Sequence, residues 1–200
     1  MLDTAELTVI GPEHHGTRMP LEQFARAKGR PGHLYELEKG VIVVVPIPGL
    51  PHGRVVQEFR DAFSEYRRTH PGVIDYVGGG GEAGLQMPEM QSERHPDVAV
   101  YLTAPLTPDP QPWEDWTPDL VIEVVSQGGE DRDYRIKRDE YLRAGTRLYW
   151  VVDPQTRTVL VLTRRGDTWR EKRVAESSTL TTALLPGFEL MVAQIFAVLR

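Results

Sequence analysis

The sequence predicts an α/β domain built on a mixed β-sheet flanked by helices, and three consecutive segments carry that expectation. Leu120–Val125 reads Leu-Val-Ile-Glu-Val-Val, apolar on both faces except at Glu123, the pattern of a strand covered on both sides. Asp131–Ala144 follows as a helix ended by Gly145, and Leu148–Val152 returns to an apolar strand closed by the turn residues Asp153-Pro154. A strand–helix–strand of this length implies two parallel strands and a right-handed crossover.

Hairpins supply antiparallel partners. An amino-terminal β-hairpin is expected over Leu34–Val45, turning at Lys39-Gly40. A carboxy-terminal β-hairpin is expected from Val159–Thr163 and Trp169–Val174 around Arg165-Gly166-Asp167. Thr17–Lys28 reads as a short helix, with Thr17 as cap, Pro20 near its start and Gly29 at its end. Pro46–Pro51 reads as a loop because its three prolines deny strand hydrogen bonds. From His52 to Arg68, Val55, Val56, Phe59, Ala62, Phe63 and Tyr66 recur at a helical period. Gly78–Gly81 is expected to bend between strands, and no lysine or Ser/Thr follows it as a phosphate loop requires. Ala83–Met87 and Val98–Leu102 read as strands, the second entered through Pro96-Asp97. Thr103–Pro118, with five prolines and two tryptophans, is irregular, and Pro186-Gly187 precedes a last short helix. There is no internal repeat or linker, so the 200 residues are expected to form a single domain with its core over about 30–155.

Composition narrows the setting. No apolar run reaches the roughly 18 residues of a membrane helix, and Met1–Glu6 carries acids where a secretory signal would be basic and apolar, so a cytoplasmic protein without membrane contact is expected. The absence of cysteine excludes disulfides and thiolate metal sites. Residues 1–131 hold 10 Lys and Arg against 21 Asp and Glu, whereas residues 132–173 hold 12 against 6. The acidic total argues against a general polyanion binder, while the basic second half leaves room for either a nucleic-acid surface or a solvated arginine-rich face.

Two carboxylates stand out chemically. Glu123 interrupts the most apolar strand, and burying it costs several kcal/mol unless a cation or hydrogen bonds compensate. A divalent cation shared with a second acid is one solution, and an ion pair with a buried arginine is another. Asp97 stands at a strand entrance, as a metal ligand or a turn cap. Lys137 is one of only four lysines beside nineteen arginines, and it shares a helix face with Asp133 and Tyr141. It is placed either to reach such a site or to pair with Asp133.

The segments Arg94-His-Pro-Asp97-Val-Ala-Val, Pro118-Asp-Leu-Val-Ile-Glu123-Val-Val-Ser126, Asp133-x3-Lys137-x3-Tyr141-Leu-x-Ala-Gly145 and Tyr149-Trp-Val-Val-Asp153-Pro resemble, in this order, the restriction endonuclease-like group of the PD-(D/E)XK nuclease superfamily. The resemblance extends upstream to Tyr35-Glu36-Leu-x2-Gly40 and the loop ending in His52, and covers roughly residues 20–190. It implies a restriction endonuclease-like fold and magnesium- or manganese-dependent cleavage of DNA. Asp97 and Glu123 would be the metal-binding acids, with the Val124 backbone carbonyl completing the shell. The residue two beyond Glu123 is Val125, a departure from the Glu-x-Lys pattern, and Lys137 on the following helix matches the place from which this group supplies its basic residue. Ser126-Gln-Gly-Gly also departs from the Ser-Pro-Ser of similar proteins.

Other residues stand nearby. His52 is either an auxiliary acid/base at the scissile phosphate or a plain helix-start histidine, and Glu36 is a supporting candidate on the first hairpin strand. Ser126 either hydrogen-bonds the site or makes a turn, and His14-His15 lacks metal-ligand spacing. Two functions remain: a metal-dependent DNA endonuclease, or a non-catalytic scaffold of the same fold serving as an interaction or nucleic-acid-binding module. The edge hairpin and the tryptophan-rich loop suggest a homodimer or higher homo-oligomer.

Overall fold

Leu120–Val124 and Leu148–Asp153 pair in parallel, in register from Leu120↔Leu148 to Val124↔Val152, as the apolar strand–helix–strand pattern requires. The protein is described by a computed structural model over residues 8–106 and 112–199, so Met1–Glu6 and the middle of the proline-rich loop lie outside the described residues. In chain order the first half places β1 (Val9–Ile10), α1 (Leu21–Ala25), β2 (Lys28–Gly29), β3 (His33–Glu38), β4 (Val41–Pro46), α2 (Leu50–Thr69), β5 (Tyr76–Gly78), β6 (Leu85–Met87), β7 (Ser92–Arg94) and β8 (Val98–Tyr101). The second half places β9 (Leu120–Val124), α3 (Lys137–Ala144), β10 (Leu148–Asp153), β11 (Thr158–Arg165), β12 (Thr168–Ala175), β13 (Thr179–Thr182), β14 (Leu185–Met191) and α4 (Val192–Ala197).

The central sheet has six strands in the order β12-β11-β10-β9-β8-β5, parallel only at β9/β10. One face packs Ile122, Val124, Trp150 and Val152 against Val55, Phe59 and Phe63 of α2 and Ile195 and Phe196 of α4. The other face packs Val121, Val125, Tyr149 and Val151 against Tyr141 of α3. A strand covered on both faces has no polar side, which is why β9 reads as an unbroken apolar run around one acid. Among the described residues no helix is long and apolar enough to cross a membrane.

The amino-terminal hairpin forms as expected, but it joins a separate four-stranded sheet, β4-β3-β7-β6, rather than the central one. Strand β7, Ser-Glu-Arg, was not legible as a strand because all three residues are polar, yet all are buried. Arg94 is fully buried and gives its guanidinium to Glu140 (2.6 Å), Glu38 (2.9 Å) and Glu36 (3.1 Å), tying the second sheet to α3.

Several boundaries differ from expectation. The helix expected over Thr17–Lys28 shortens to Leu21–Ala25, because Thr17–Met19 is held extended against the hairpin and Lys28–Gly29 pairs with Val9–Ile10. The loop expected over Pro46–Pro51 shrinks, since Pro46 ends β4 and Pro51 sits in the first turn of α2, where a missing N–H costs nothing. The helix expected over Asp131–Ala144 opens with a wide π-type turn at Arg132–Ile136, the Lys137 N–H reaching back to Arg132 O. The hairpin expected at the carboxy terminus is β11/β12, but a second one, β13/β14, follows it and contains Pro186-Gly187. Trp116, expected in a self-association surface, stacks on Tyr101 (3.9 Å between ring centroids) and donates its Nε1–H to Thr103 O.

Removing the cation that three acids share should be costly. Arg94→Leu is expected to lose about 3–5 kcal/mol of stability in urea melts, the scale of a buried ion cluster stripped of one partner. A loss under about 1 kcal/mol would show the cluster to be inessential to folding.

Candidate active site

Asp97 stands immediately before β8, and the glycine run beside it is what lets the chain pass so close. Gly79, at φ 155°, lies against the Asp97 backbone, where a Cβ would sit 2.1 Å from the Asp97 carbonyl oxygen. Gly80 N–H donates to Pro96 O (2.7 Å). The run therefore does more than bend: it clamps the peptide that carries the acid. The Asp97 side chain is fixed by two donors on one oxygen, the Val124 N–H at 2.8 Å and His52 Nε2–H at 3.1 Å. Among the described residues its Oδ1 accepts no hydrogen bond.

Glu123 is 2% exposed and faces α3. Tyr141 donates its hydroxyl to Oε1 (2.5 Å), and Lys137 Nζ lies 2.9 Å from Oε2. The same ammonium lies 3.1 Å from Asp133 Oδ1. Lys137 therefore makes both contacts that the sequence left as alternatives, and the cation on Glu123 is this lysine, not an arginine. Glu36 turns inward from β3, buried, and accepts from Arg94 Nη1 (3.1 Å), from Arg132 and from the His95 N–H (3.4 Å).

These groups line one cleft of about 60 Å³, which holds Glu36, Asp97, Glu123 and Asp133 together with Lys137, Arg132, His52, His95, Val124 and Ser126. The structure thus brings together Asp97, Glu123, Lys137, His52, Glu36, Asp133 and Val124, with Tyr141 directly behind Glu123. Ser126 is at the exposed rim, where its carbonyl accepts the Gly129 N–H (2.9 Å) and makes a turn. Sequence reasoning passed over Arg132, Arg94, Glu140, His95 and the clamping role of Gly79. A signal was available for Arg94, three residues before Asp97, but a buried arginine and an exposed one read alike in a sequence.

The electrostatics are uneven. Burial pushes the Glu123 carboxyl up to about 8; Lys137 opposes this, and Asp97, Asp133 and Glu36 reinforce it. Asp133 is raised by burial too, despite Lys137. Lys137 is itself raised, burial being outweighed by Glu123, Glu36 and Asp133. Glu36 goes the other way: burial is outweighed by Lys137, Arg94 and Arg132, which hold it at about 2. His52 is raised because Asp97 outweighs the effect of burial.

Comparison with known proteins gives this geometry a context. Residues 21–193 match the Uma2 family, described as "Putative restriction endonuclease". The chain belongs to this family. The Uma2 chain also resembles a crystal structure titled as "a putative nuclease belonging to DUF820" from Anabaena variabilis ATCC 29413, at a TM-score of 0.72 and 18% identity, covering 91% of this chain and 99% of that one. At that identity the likeness is one of fold, and it is the restriction endonuclease-like fold expected from the sequence. No curated protein matches the Uma2 chain in sequence.

The depressed Glu36 carboxyl gives a pH-dependent stability with a defined sign. Its contribution is complete above the unfolded value of 4.5 and is lost as pH falls through about 2, a span worth about 3 kcal/mol. Unfolding free energies of Glu36→Gln and the wild-type protein should therefore differ most above pH 4.5 and converge toward pH 2. A difference independent of pH would contradict the assignment.

Proposed function

We propose that this chain is a metal-dependent DNA endonuclease, cleaving phosphodiester bonds at the cleft of Asp97, Glu123 and Lys137. One observation carries the reading: four carboxylates, Glu36, Asp97, Glu123 and Asp133, share the cleft with two permanent cations, Lys137 and Arg132. Four acids against two permanent cations make this an acidic cleft, the kind of oxygen-rich setting that a hard divalent cation complements. Among the described residues no three acids or imidazoles converge into a ready-made cage. Two carboxylates and a carbonyl suit magnesium, which keeps several waters. Asp97, through its uncommitted Oδ1, Glu123 and the Val124 carbonyl would hold Mg2+ or Mn2+. Such an ion supplies Lewis-acid activation of water and shields the phosphate.

The chain's own residues then divide the work. His52 and the Val124 N–H pin one Asp97 oxygen, so the carboxylate keeps one orientation. Tyr141 holds Glu123 from behind in the same way. Lys137 orients the attacking water and offsets the charge that grows on the phosphate oxygens, while Glu36 fixes Arg132 at the rim of the cleft. His52, with its raised affinity for a proton, is placed to give one to the leaving oxygen.

A second reading has an observation of its own. Lys137 already bridges Glu123 and Asp133, a closed ion-pair arrangement that a non-catalytic scaffold of this fold would need no metal to keep. Magnesium calorimetry and plasmid cleavage separate the two. Asp97→Ala and Glu123→Ala should each reduce magnesium-dependent cleavage about a thousandfold or more, and Lys137→Met comparably, with magnesium binding weakened only in the first two. Wild-type protein that binds no magnesium at millimolar concentration and leaves plasmid intact would favour the scaffold.

A further inference from the structure

The cations gathered in residues 132–173 are not spread evenly over the surface. A groove of about 720 Å³ opens between β11/β12 and the β13–β14 connection, lined by Arg147, Arg164, Arg165, Arg170 and Lys172 on one side and by Thr181–Leu184 on the other. Arg165, Arg170 and Lys172 are exposed and have no ionic partner among the described residues. Arg147 pairs with Asp119 (3.0 Å), and Arg164 lies 3.8 Å from Asp167. Glu171, between Arg170 and Lys172 in sequence, turns to the α3 face of the sheet, where Arg138 engages it at 2.5 Å. Like charges are thus held together with little to neutralise them, which is stable only in high dielectric or against an anion.

This groove is distinct from the acidic cleft. It lies at Leu148, where β10 begins, whereas Glu123 is level with Val151, about 10 Å further along the strands. It is also on the other face: Leu148 and Val161 belong with the α2 side of the sheet, and Glu123 points to α3.

We propose that this groove holds the phosphate backbone of a nucleic acid, on the side of the sheet away from the carboxylates. Arg165 and Arg170 offer planar forks that match phosphate oxygens in pairs, Lys172 adds a third uncommitted cation, and the threonines opposite offer hydroxyl donors. Its concave form suits a strand rather than a flat lipid surface. Among the described residues none of the exposed large apolar side chains, Val9, Leu34, Ile47, Leu50, Leu106 and Met191, lines it to enter a bilayer. The inference does not depend on the cleavage reading, because binding here needs no metal.

The test is fluorescence anisotropy of a short labelled DNA duplex in EDTA, from roughly 50 to 200 mM salt. Three proteins are compared: wild type, the triple variant R165A/R170A/K172A, and a control of equal charge, R26A/R67A/R143A. The groove variant should bind about tenfold or more weakly at low salt, and its slope of log affinity against log salt should be shallower by about 3, while the control matches wild type. Circular dichroism and melting of the groove variant should stay as wild type, since all three side chains are exposed on a hairpin. Equal losses in both variants, no loss in either, or no wild-type binding at low salt would overturn the proposal. So would anionic vesicles competing as well as unlabelled DNA. A shift in sedimentation of the groove variant at unchanged DNA affinity would reassign the groove to a second copy of the chain.

Discussion

A single ammonium between two buried carboxylates sets the terms for the rest of the cleft. Lys137 Nζ lies within 3.1 Å of both Glu123 and Asp133, and all three side chains are more than nine-tenths buried. Neither acid would tolerate that depth without it, and the lysine could not be buried without them. Yet one positive charge cannot balance two acids with Asp97 and Glu36 close by. The raised Glu123 and the lowered Glu36 are the two sides of that imbalance: cations crowd around Glu36, and Glu123 is left short. As pH rises from the ordinary carboxylate range through about 8, ionised Glu123 costs the folded state stability.

The surrounding structure holds the arrangement rigid. Arg94 binds one sheet to α3, the π-type turn sets Lys137 at the head of its helix, and Gly79 lets one loop abut the Asp97 peptide. The same sheet separates two electrostatic regions, an acidic cleft on the α3 face and a basic groove on the α2 face. The charge asymmetry between the halves of the chain is in this sense spatial as well as sequential.

What the sequence made legible follows from the physics of each signal. Glu123 was visible because an acid in a doubly covered strand is costly, and Lys137 because its helix spacing put Asp133 and Tyr141 on its face. The amino-terminal hairpin was visible through Lys39-Gly40, both at positive φ. Strand β7 was not, since its burial depends on partners 46 to 58 residues away in sequence, and local patterning holds no trace of them. The β13/β14 hairpin was hidden by Pro186-Gly187, residues that ordinarily interrupt strands. Arg132 was missed because its contact with Glu36 spans 96 residues.

The proposed chemistry stands or falls on whether Asp97 and Glu123 share a divalent cation beside Lys137. Crystals grown with millimolar manganese test it most directly, through anomalous diffraction. One peak in contact with both carboxylates is expected, with Lys137 still beside Glu123. A cleft without a peak, or a peak bound elsewhere, would contradict it.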